Sequence, residues 1–308
     1  MRLLNNLNKC SRIKSPVITW GIFDGVHLGH RALIGALVAR ARKSKRPSLV
    51  ITFDEHPKRV LSDSSEPLYI TSIAHRLLLL EQLGVDYCLV LPFTREFSRM
   101  SAVGFINNII LEKLRPSGIV LTRDTVFGHN QDGGLNLLRK MAPVVPLWIV
   151  PPRFYKKHII SSTLIRRAIQ KNRLADALAM LGRPVSILGT VVHGDRRGRT
   201  IGFPTANLDP HHEILPPNGV YAGRTGLTGK KDYRVLVNIG TRPTFHRAGR
   251  VTIEVYILNY REPSKNSLYG IDIEVQILKF LRSERKFGSS RALVKQISRD
   301  IKNALKGK

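Results

Sequence analysis

The chain has 308 residues, of which 43% are apolar, so it is long and apolar enough to form about two domains with ordinary cores. Its 50 basic and 22 acidic residues give a net charge of +28, and such a charge attracts polyanions, among them nucleotides and nucleic acids. The sequence lacks the run of ~18 apolar residues that a membrane span needs and the apolar segment of a signal peptide, and its two cysteines, Cys10 and Cys88, exclude a disulfide framework and predict a cytoplasmic protein without a membrane partner.

In the first half of the chain, apolar strand-like segments alternate with helix-like segments. Helices are predicted at 30–43, 73–83 and 102–114, and strands at 16–23, 48–53, 85–93, 117–122 and 144–150. Helices that separate buried strands in this way predict a doubly wound parallel sheet. Ligands of such sheets bind beyond the carboxyl ends of the strands, so the loops that follow the strands are the place to look for a site.

After about Arg183 the pattern changes to short strands rich in Val, Ile and Tyr. These strands are predicted at 185–194, 219–225, 233–240, 251–260 and 270–280. Short strands with Gly or Pro turns between them predict a small antiparallel β-barrel. Apolar residues four apart predict an amphipathic terminal helix over 290–305; they are Leu293, Ile297, Ile301 and Leu305. The sequence therefore predicts an α/β module, residues 1–182, and a β-barrel module, residues 183–308.

The first predicted strand runs into the motif WGIFDGVHLGH, residues 20–30. His27 and His30 are predicted to lie on the same side of the first helical turn, while Gly25 and Gly29 let the backbone approach a ligand. The N–H groups and dipole of a helix N-terminus favour phosphate, and imidazoles add hydrogen bonds that are stronger when protonated. The motif suits nucleotidyl transfer, in which charge builds on the α-phosphate; two surface histidines on a tight turn are the alternative.

A second cluster of phosphate-binding residue types lies in ISSTLIRR, residues 160–167, at the start of a predicted helix. The hydroxyls of Ser162 and Thr163 are either helix caps or phosphate ligands. Arg166 adds a cation one turn later, and arginine is suited to bidentate phosphate binding. Two such clusters in one α/β module predict a nucleoside triphosphate site.

These motifs resemble those of the bacterial bifunctional riboflavin kinase/FAD synthetase family. FDGVHLGH resembles the family's HxGH motif, TFDEHP at 52–57 its TFDPHP, and residues 181–208, LGRPVSILGTVVHGDRRGRTIGFPTANL, the segment that joins its two modules. The resemblance extends from about residue 17 to 305. It implies an N-terminal FMN adenylyltransferase, which makes FAD from FMN and ATP, and a C-terminal riboflavin kinase, which makes FMN from riboflavin and ATP. Mg²⁺ is the implied cofactor.

The resemblance also implies residue roles in the first module. His27 and His30 match the catalytic histidine pair. Ser162, Thr163 and Arg166 match the triphosphate-binding motif. Asp124, in LTRDTVFG, matches a position near the nucleotide.

Residues 198–207, GRTIGFPTAN, are the corresponding motif of the second module. A loop with Gly198 and Gly202 is suited to binding phosphate through backbone N–H groups. Thr205 and Asn207 offer the neutral oxygens that Mg²⁺ accepts when ATP supplies the remaining ligands. The PTAN sequence resembles the signature of riboflavin kinase barrels; a loop with an ordinary asparagine turn is the alternative.

In VTIEVYIL, period-two alternation places Val251, Ile253, Val255 and Ile257 on one face of a strand and Glu254 on the other. The resemblance implies that Glu254 is the base that takes the proton of the ribityl hydroxyl; a solvent-facing glutamate is the alternative. LRSERKFGS, residues 281–289, also resembles a family segment, with Arg282 and Phe287 as candidate flavin contacts.

The chain departs from the family in TRDTVFGHNQDG, residues 122–133. The family has an aromatic residue and two arginines where this chain has Thr125, Val126 and Gln131. We expect weak FMN binding with adenylyl transfer retained; a riboflavin kinase with an impaired adenylyltransferase is the first alternative.

A basic nucleic-acid-binding protein on a nucleotidyltransferase scaffold is the alternative from another class. No zinc-finger spacing and no aromatic RNA-binding motif supports it. We therefore expect small-molecule partners and no specific nucleic acid. The sequence does not determine the oligomeric state.

Overall fold

The computed structural model describes residues 1–62, 68–194, 201–211, 213–227, 231–244, 247–260 and 268–306. The chain divides into two compact units, Met1–Tyr69 with Ile73–Ser162 and Ile70–Ser72 with Thr163–Lys308. Across the described ranges, no helix combines the length and the apolar character that crossing a membrane requires.

The first unit is built on a six-stranded sheet. Its strands are β1 (Arg2–Leu4), β2 (Val17–Trp20), β3 (Ser48–Phe53), β4 (Tyr87–Leu91), β5 (Gly118–Thr122) and β6 (Leu147–Val150). They lie in the order β1-β4-β3-β2-β5-β6, and each neighbouring pair is parallel. The predicted doubly wound parallel sheet is confirmed.

Helices cover both faces of this sheet because the strands are apolar on both. Val17 and Val50 pack into the core of one face, and their neighbours Ile18 and Leu49 pack into the core of the other, as alternation along a strand requires. The helices are α1 (Leu28–Lys43), α2 (Pro57–Ser62), α3 (Ile73–Gln82), α4 (Arg95–Ser98), α5 (Ala102–Gly104, continued as a π-helix over Phe105–Leu114) and α6 (Leu135–Met141). Short 3₁₀ turns cover Leu7–Arg12 and His129–Gln131.

The strand order places the topological switch point between β2 and β5. From β2 the chain goes through β3 to β4 on one side and then crosses to β5 on the other side of β2. The loops that follow β2 and β5 therefore leave the sheet next to each other at its carboxyl edge, where doubly wound folds bind ligands. These two loops contain the histidine motif and residues 123–134.

The second unit contains a closed antiparallel barrel. In the chain, a hairpin of β7 (Phe154–Tyr155) and β8 (His158–Ile159) and two helices, α7 (Ser162–Gln170) and α8 (Leu174–Leu181), precede it. The barrel strands are β9 (Val185–Val192), β10 (Ala206–Asp209), β11 (Gly219–Leu227), β12 (Lys231–Thr244), β13 (Arg247–Ile257) and β14 (Asp272–Arg282). They close in the order β10-β13-β12-β11-β14-β9, which confirms the predicted barrel.

The barrel has an interior core and a smaller core on its outer surface. Ile253, Val255 and Ile257 point into the interior. The terminal helix α9 (Ser290–Leu305) packs on the outside of the barrel, where Ala304 contacts a cluster that includes Leu236. The face of β13 that carries Glu254 is therefore covered by a helix and does not face bulk solvent.

Several sequence-based boundaries were wrong. The first strand ends at Trp20, because Phe23, Gly25 and Val26 take positive φ angles. Val144, predicted in a strand, is 90% exposed and precedes β6. Val251 is 43% exposed and lies outside the interior core, and Leu305 is 55% exposed and does not extend the apolar stripe of α9. Elements too short or too weakly patterned to predict were β1, β7, β8, β10, α6 and α8.

Candidate active sites

The histidine motif forms a tight turn at the start of α1. His27 is the N-cap residue of α1, and its Nδ1 accepts a hydrogen bond from the backbone N–H of His30 at 3.3 Å. The two imidazole rings stack with centroids 3.6 Å apart and an interplanar angle of 17°. Since Nδ1 of His27 accepts, its neutral ring carries the proton on Nε2, which is then a donor. The structure thus brings the two predicted histidines into contact.

The pKa of His30 lies well below its ordinary value of 6.5. Burial is the largest cause, and the positive charges of His27 and Arg76 add to it. The ring packs edge-on against Phe23 at 5.3 Å, and its buried Nδ1 has no hydrogen-bond partner among the described residues. His30 is therefore neutral near pH 7, so the stronger, protonated donor expected from the sequence is not the form that this turn favours.

Ser162 is linked to the histidine turn. Its hydroxyl donates a hydrogen bond of 2.9 Å to the backbone oxygen of Asp24, which is buried two residues before Val26. Ser162 is the first residue of α7, and Thr163 and Arg166 follow on the same helix. Thr163 is exposed and Arg166 is half-buried. Ser162 thus contacts the turn by hydrogen bond, while Thr163 and Arg166 belong to the second compact unit.

Four predicted residues of the second module line one cavity of about 380 Å³ beside α9. Glu254 is at its wall, and the four are Thr205, Asn207, Arg282 and Phe287. Register explains the position of Glu254: on β13 it lies directly opposite Asn207 of β10 and Asn238 of β12. Side chains directly opposite in antiparallel strands share a face and lie about 5 Å apart at Cβ. A carboxylate is thus flanked by two amides on the covered face of the barrel.

Asp300 of α9 closes this cavity on the helix side. Its side chain is 2% exposed and forms an ion pair with Arg282, with Nη2 and Oδ2 3.0 Å apart. Gln296 donates a second hydrogen bond to Asp300 at 2.7 Å. The guanidinium of Arg282 also lies 5.6 Å from the ring centroid of Phe287. The ion pair fixes Arg282 at the cavity wall, so its direction is set by tertiary contacts.

A second cavity of about 560 Å³ adjoins the first. The two share Thr205 and Tyr256, and the ring of Tyr256 contacts Phe203 with centroids 5.4 Å apart. The other lining residues include Tyr260 and Tyr269. The barrel thus offers two adjacent spaces, with Thr205 between them.

Comparison with known proteins connects these two sites. A family model described as FAD synthetase matches residues 10–164, and one described as riboflavin kinase matches residues 181–307. A bifunctional riboflavin kinase/FMN adenylyltransferase of Escherichia coli K12 is 37% identical over 305 residues, which cover 97% of this chain and 96% of that protein. The protein of that description from Bacillus subtilis is 35% identical over 307 residues, with coverages of 98% and 95%.

The chain belongs to the bifunctional riboflavin kinase/FMN adenylyltransferase family. The sequence-based prediction of the family is confirmed, and with it the prediction that the chain is an enzyme of flavin cofactor biosynthesis. A crystal structure titled a macrolide-efflux protein from Streptococcus pneumoniae has a TM-score of 0.83 and 31% identity, and the match covers 100% of both chains. That likeness supports the fold, and the efflux named in its title is said of that protein.

In this flavin-synthesis enzyme, the loop after β5 is shaped by residues that the sequence left as departures from the family. The Thr125 hydroxyl accepts a hydrogen bond from the N–H of Thr122 at 3.2 Å and so closes the turn after β5. Val126 is 54% exposed, and Gln131 is exposed at the far side of the loop. Asp124 is exposed after β5. None of these three departures is in the core, so the loop keeps its fold without the family's aromatic residue and arginines.

Sequence reasoning missed several residues of the kinase cavity. Asn238 lies in the family-like segment NIGTRPTF but was not singled out; its signal is its register position opposite Glu254. Asp300 is a carboxylate within the apolar stripe of α9, an exception that marks a buried partner. Gly202 lies in the turn before Phe203 with φ +84°, and Gly198 lies outside the described residues.

Gly29 is needed for a reason different from the one predicted. A Cβ at this position would lie 3.1 Å from Cε1 and 3.2 Å from Nδ1 of His27, so the absence of a side chain makes room for the imidazole. We expect Gly29→Ala to displace His27 and to lower FAD formation about tenfold or more, with FMN formation unchanged. The measurement is the rate of each step on the same preparation.

Gly35 provides the matched control. It lies in the same helix, is exposed, and a Cβ there would meet nothing within 4 Å. Gly35→Ala is expected to leave FAD formation unchanged and to stabilise α1 by about 0.5–1 kcal/mol. Equal loss of FAD formation in both variants would contradict the steric role of Gly29.

Proposed function

We propose that residues 1–182 make FAD by transferring AMP from ATP to FMN, and that residues 183–308 make FMN by transferring the γ-phosphate of ATP to riboflavin. The observation that carries this assignment is the presence of two separate constellations, one in each compact unit: the stacked pair His27–His30, and Glu254 between Asn207 and Asn238. The boundary after residue 182 remains a prediction, since the compact units divide after Ser162.

For the adenylyl step, the chain supplies positioning and hydrogen-bond donors. A phosphate oxygen of FMN attacks the α-phosphorus of ATP, the bond to the bridging oxygen breaks, and pyrophosphate leaves. His27 and His30 stand at the N-terminus of α1, where unpaired N–H groups and the helix dipole favour negative charge. Neutral imidazole donors that are already in place stabilise the charge that develops on the α-phosphate. Gly25, with φ +80°, lets the turn before them fold back, and Asp124 stands at the other side of the switch point.

Thr163 and Arg166 are proposed to contact the triphosphate, as implied by the family resemblance. Ser162 supports this because its hydroxyl fixes the start of α7 to the backbone of Asp24. The hydrogen bond ties the first residue of the triphosphate motif to the turn that carries His27.

For the kinase step, Glu254 is the proposed base. It takes the proton of the terminal ribityl hydroxyl as that oxygen attacks the γ-phosphorus of ATP and ADP leaves. The carboxylate belongs to a strand of a closed barrel, and Asn207 and Asn238 flank it, so it is held in place before substrate binds. We assign the apolar cavity beside Arg282 and Phe287 to the flavin and the adjoining tyrosine-lined cavity to ATP, because Thr205 stands between the two.

Mg²⁺ fits the oxygen donors of the kinase site. Thr205 and Asn207 line the same cavity and offer neutral oxygens, and a Cβ at Gly194 would overlap the amide of Asn207, so that glycine leaves room for the amide group. No group of three or more His, Cys, Asp or Glu in the described ranges is arranged to hold a metal ion, which suits an ion that is brought with ATP. When bound, Mg²⁺ offsets the phosphate charge.

ATP, riboflavin and FMN are the proposed partners, with Gly202 as part of the phosphate-binding loop. A cytoplasmic location is the matching proposal. It is supported by Cys10 and Cys88, which are both buried and free of disulfide bonds, as expected in a reducing compartment. We propose no specific nucleic-acid or membrane partner.

Supplying the full chain with riboflavin, ATP and Mg²⁺ tests the two-step function. We expect chromatography to show FMN first and FAD later, and chelation by EDTA to stop both steps, because each transfers a phosphorus group of ATP whose charge must be offset. Product that stops at FMN, with added FMN also unconverted, would establish the kinase-only alternative. Tight, salt-dependent RNA binding without flavin binding would establish the nucleic-acid alternative.

A further inference from the structure

Arg76 is a buried cation at the carboxyl edge of the parallel sheet. It lies on α3 and is 1% exposed. Its Nη1 donates hydrogen bonds to the backbone oxygen of Phe53 at 2.9 Å and to the Thr52 hydroxyl at 3.3 Å, the last two residues of β3. Its Nε and Nη2 are also buried and have no hydrogen-bond partner in the part of the chain that the structure describes. A buried arginine with unused donors is costly to stability, so a role beyond packing is required to explain it.

A chain of hydrogen bonds joins Arg76 to the histidine turn. The Thr52 hydroxyl accepts from Arg76 and donates to the backbone oxygen of Ile22 at 3.2 Å. Ile22 follows β2 and precedes Phe23, which packs against the His30 ring. The guanidinium therefore holds the end of β3 and, through one hydroxyl, the first residues of the turn.

The charges around Arg76 identify the site that it serves. Burial lowers the pKa of Arg76, and the buried carboxylate of Asp24 is the first of the groups that raise it, followed by Tyr69, Cys88 and Glu55. The Tyr69 ring centroid lies 5.6 Å from the guanidinium carbon. Asp24 belongs to the histidine turn itself. In the opposite direction, the charge of Arg76 contributes to the low pKa of His30, together with burial and His27.

We propose that Arg76 is a positioning residue for adenylyl transfer: through Thr52 it holds the turn that carries His27 and His30, and it places a fixed positive charge behind that turn. This inference rests on the proposed role of the histidine pair. The fixed charge favours the charge that builds on the α-phosphate, and the hydrogen-bond chain keeps both imidazoles in the geometry that donates to it. Arginine suits this role because its guanidinium stays protonated when buried.

The test compares Arg76→Met and Arg76→Lys in the full chain, with Arg139→Met as the matched control at an exposed arginine of α6. We expect Arg76→Met to lower kcat for FAD formation at least tenfold, to change the KM for ATP less than threefold and to leave FMN formation unchanged. Arg76→Lys keeps the charge and is expected to recover most of the rate. Arg139→Met is expected to match the unsubstituted chain.

The pH profile separates positioning from a merely structural role. Loss of the Arg76 charge raises the pKa of His30, because that charge contributes to lowering it. A larger fraction of His30 is then protonated at a given pH, so the acid limb of FAD formation moves to higher pH in Arg76→Met and stays in place in Arg76→Lys. The groups that face His30 and Arg76, namely His27, Asp24, Tyr69, Cys88 and Glu55, are unchanged in both variants. FAD formation within twofold of the unsubstituted chain in folded Arg76→Met, or an unmoved acid limb, would overturn the proposal.

Thr52→Val keeps the proposal testable where Arg76→Met does not fold. It retains the charge of Arg76 and removes the hydroxyl that links it to Ile22. We expect at least a fivefold loss of kcat for FAD formation with the pH profile in place; an unchanged rate would overturn the proposal. Failure of the histidine assignment is distinguishable, since His30→Ala would then leave FAD formation intact, whereas silent Arg76 and Thr52 variants with an inactive His30→Ala would reject only the role of Arg76.

Discussion

His30→Ala is expected to lower FAD formation by roughly 10²–10³-fold, the effect of removing one preorganised donor from a developing oxyanion. The ring is held by stacking on His27 at 3.6 Å and by an edge contact with Phe23 at 5.3 Å, so its direction is fixed before substrate binds. Because the interaction strengthens in the transition state, the loss should fall on kcat with little change in KM. The measurement is steady-state FAD formation from supplied FMN and ATP.

Riboflavin phosphorylation on the same preparation is the internal control for His30→Ala. Glu254 and its neighbours lie in the second compact unit, so FMN formation is expected to stay within twofold. His30→Gln, which retains a donor, should keep more activity than His30→Ala. FAD formation within tenfold of the unsubstituted chain in His30→Ala would reject the assignment of this histidine, and parallel loss of both activities would indicate a damaged fold.

Glu254→Gln is expected to lower FMN formation by roughly 10²–10⁴-fold, the usual contribution of a general base. The substitution keeps the size and hydrogen-bonding capacity of the side chain between Asn207 and Asn238 and removes only the ability to accept a full proton. Riboflavin and ATP should therefore still bind, which calorimetry or flavin fluorescence can measure, while turnover is lost.

Asp232→Asn is the matched control for Glu254→Gln. Asp232 is an exposed carboxylate on the neighbouring strand β12 and pairs with Arg224 at 3.7 Å, away from the cavity. It is expected to leave FMN formation unchanged, and neither substitution should alter FAD formation from supplied FMN. Near-normal FMN formation in Glu254→Gln would assign the base to another residue and leave Glu254 as an ordinary strand glutamate.

Much of the fold was determined by local pattern. The strand at Ser48–Phe53 was predicted with its observed bounds, because every side chain in it is buried and apolar runs of that length are typical of central parallel strands. The barrel strands were predictable from their β-branched residues and turns. The edge strand β1 was not predicted, because three residues with two exposed side chains carry no burial pattern.

The motifs likewise fixed which residue types stand at the carboxyl edge of the sheet and on the covered face of the barrel. The sequence placed His27 and His30 one turn apart, and it placed Glu254 opposite in phase to its apolar neighbours. Both statements follow from helical and strand periodicity, and both agree with the observed stacking and register.

What only the tertiary structure decided depends on contacts between distant parts of the chain. The neutral state of His30 follows from burial and from the charge of Arg76, which is 46 positions along the chain. The apolar stripe of α9 gives way to a buried carboxylate at Asp300, because Arg282 of β14 faces it with an ion pair of 3.0 Å. Periodicity predicts which face of an element is buried; it does not predict the charge that a distant element places against that face, because Coulombic interactions in a low-dielectric interior depend on three-dimensional distance.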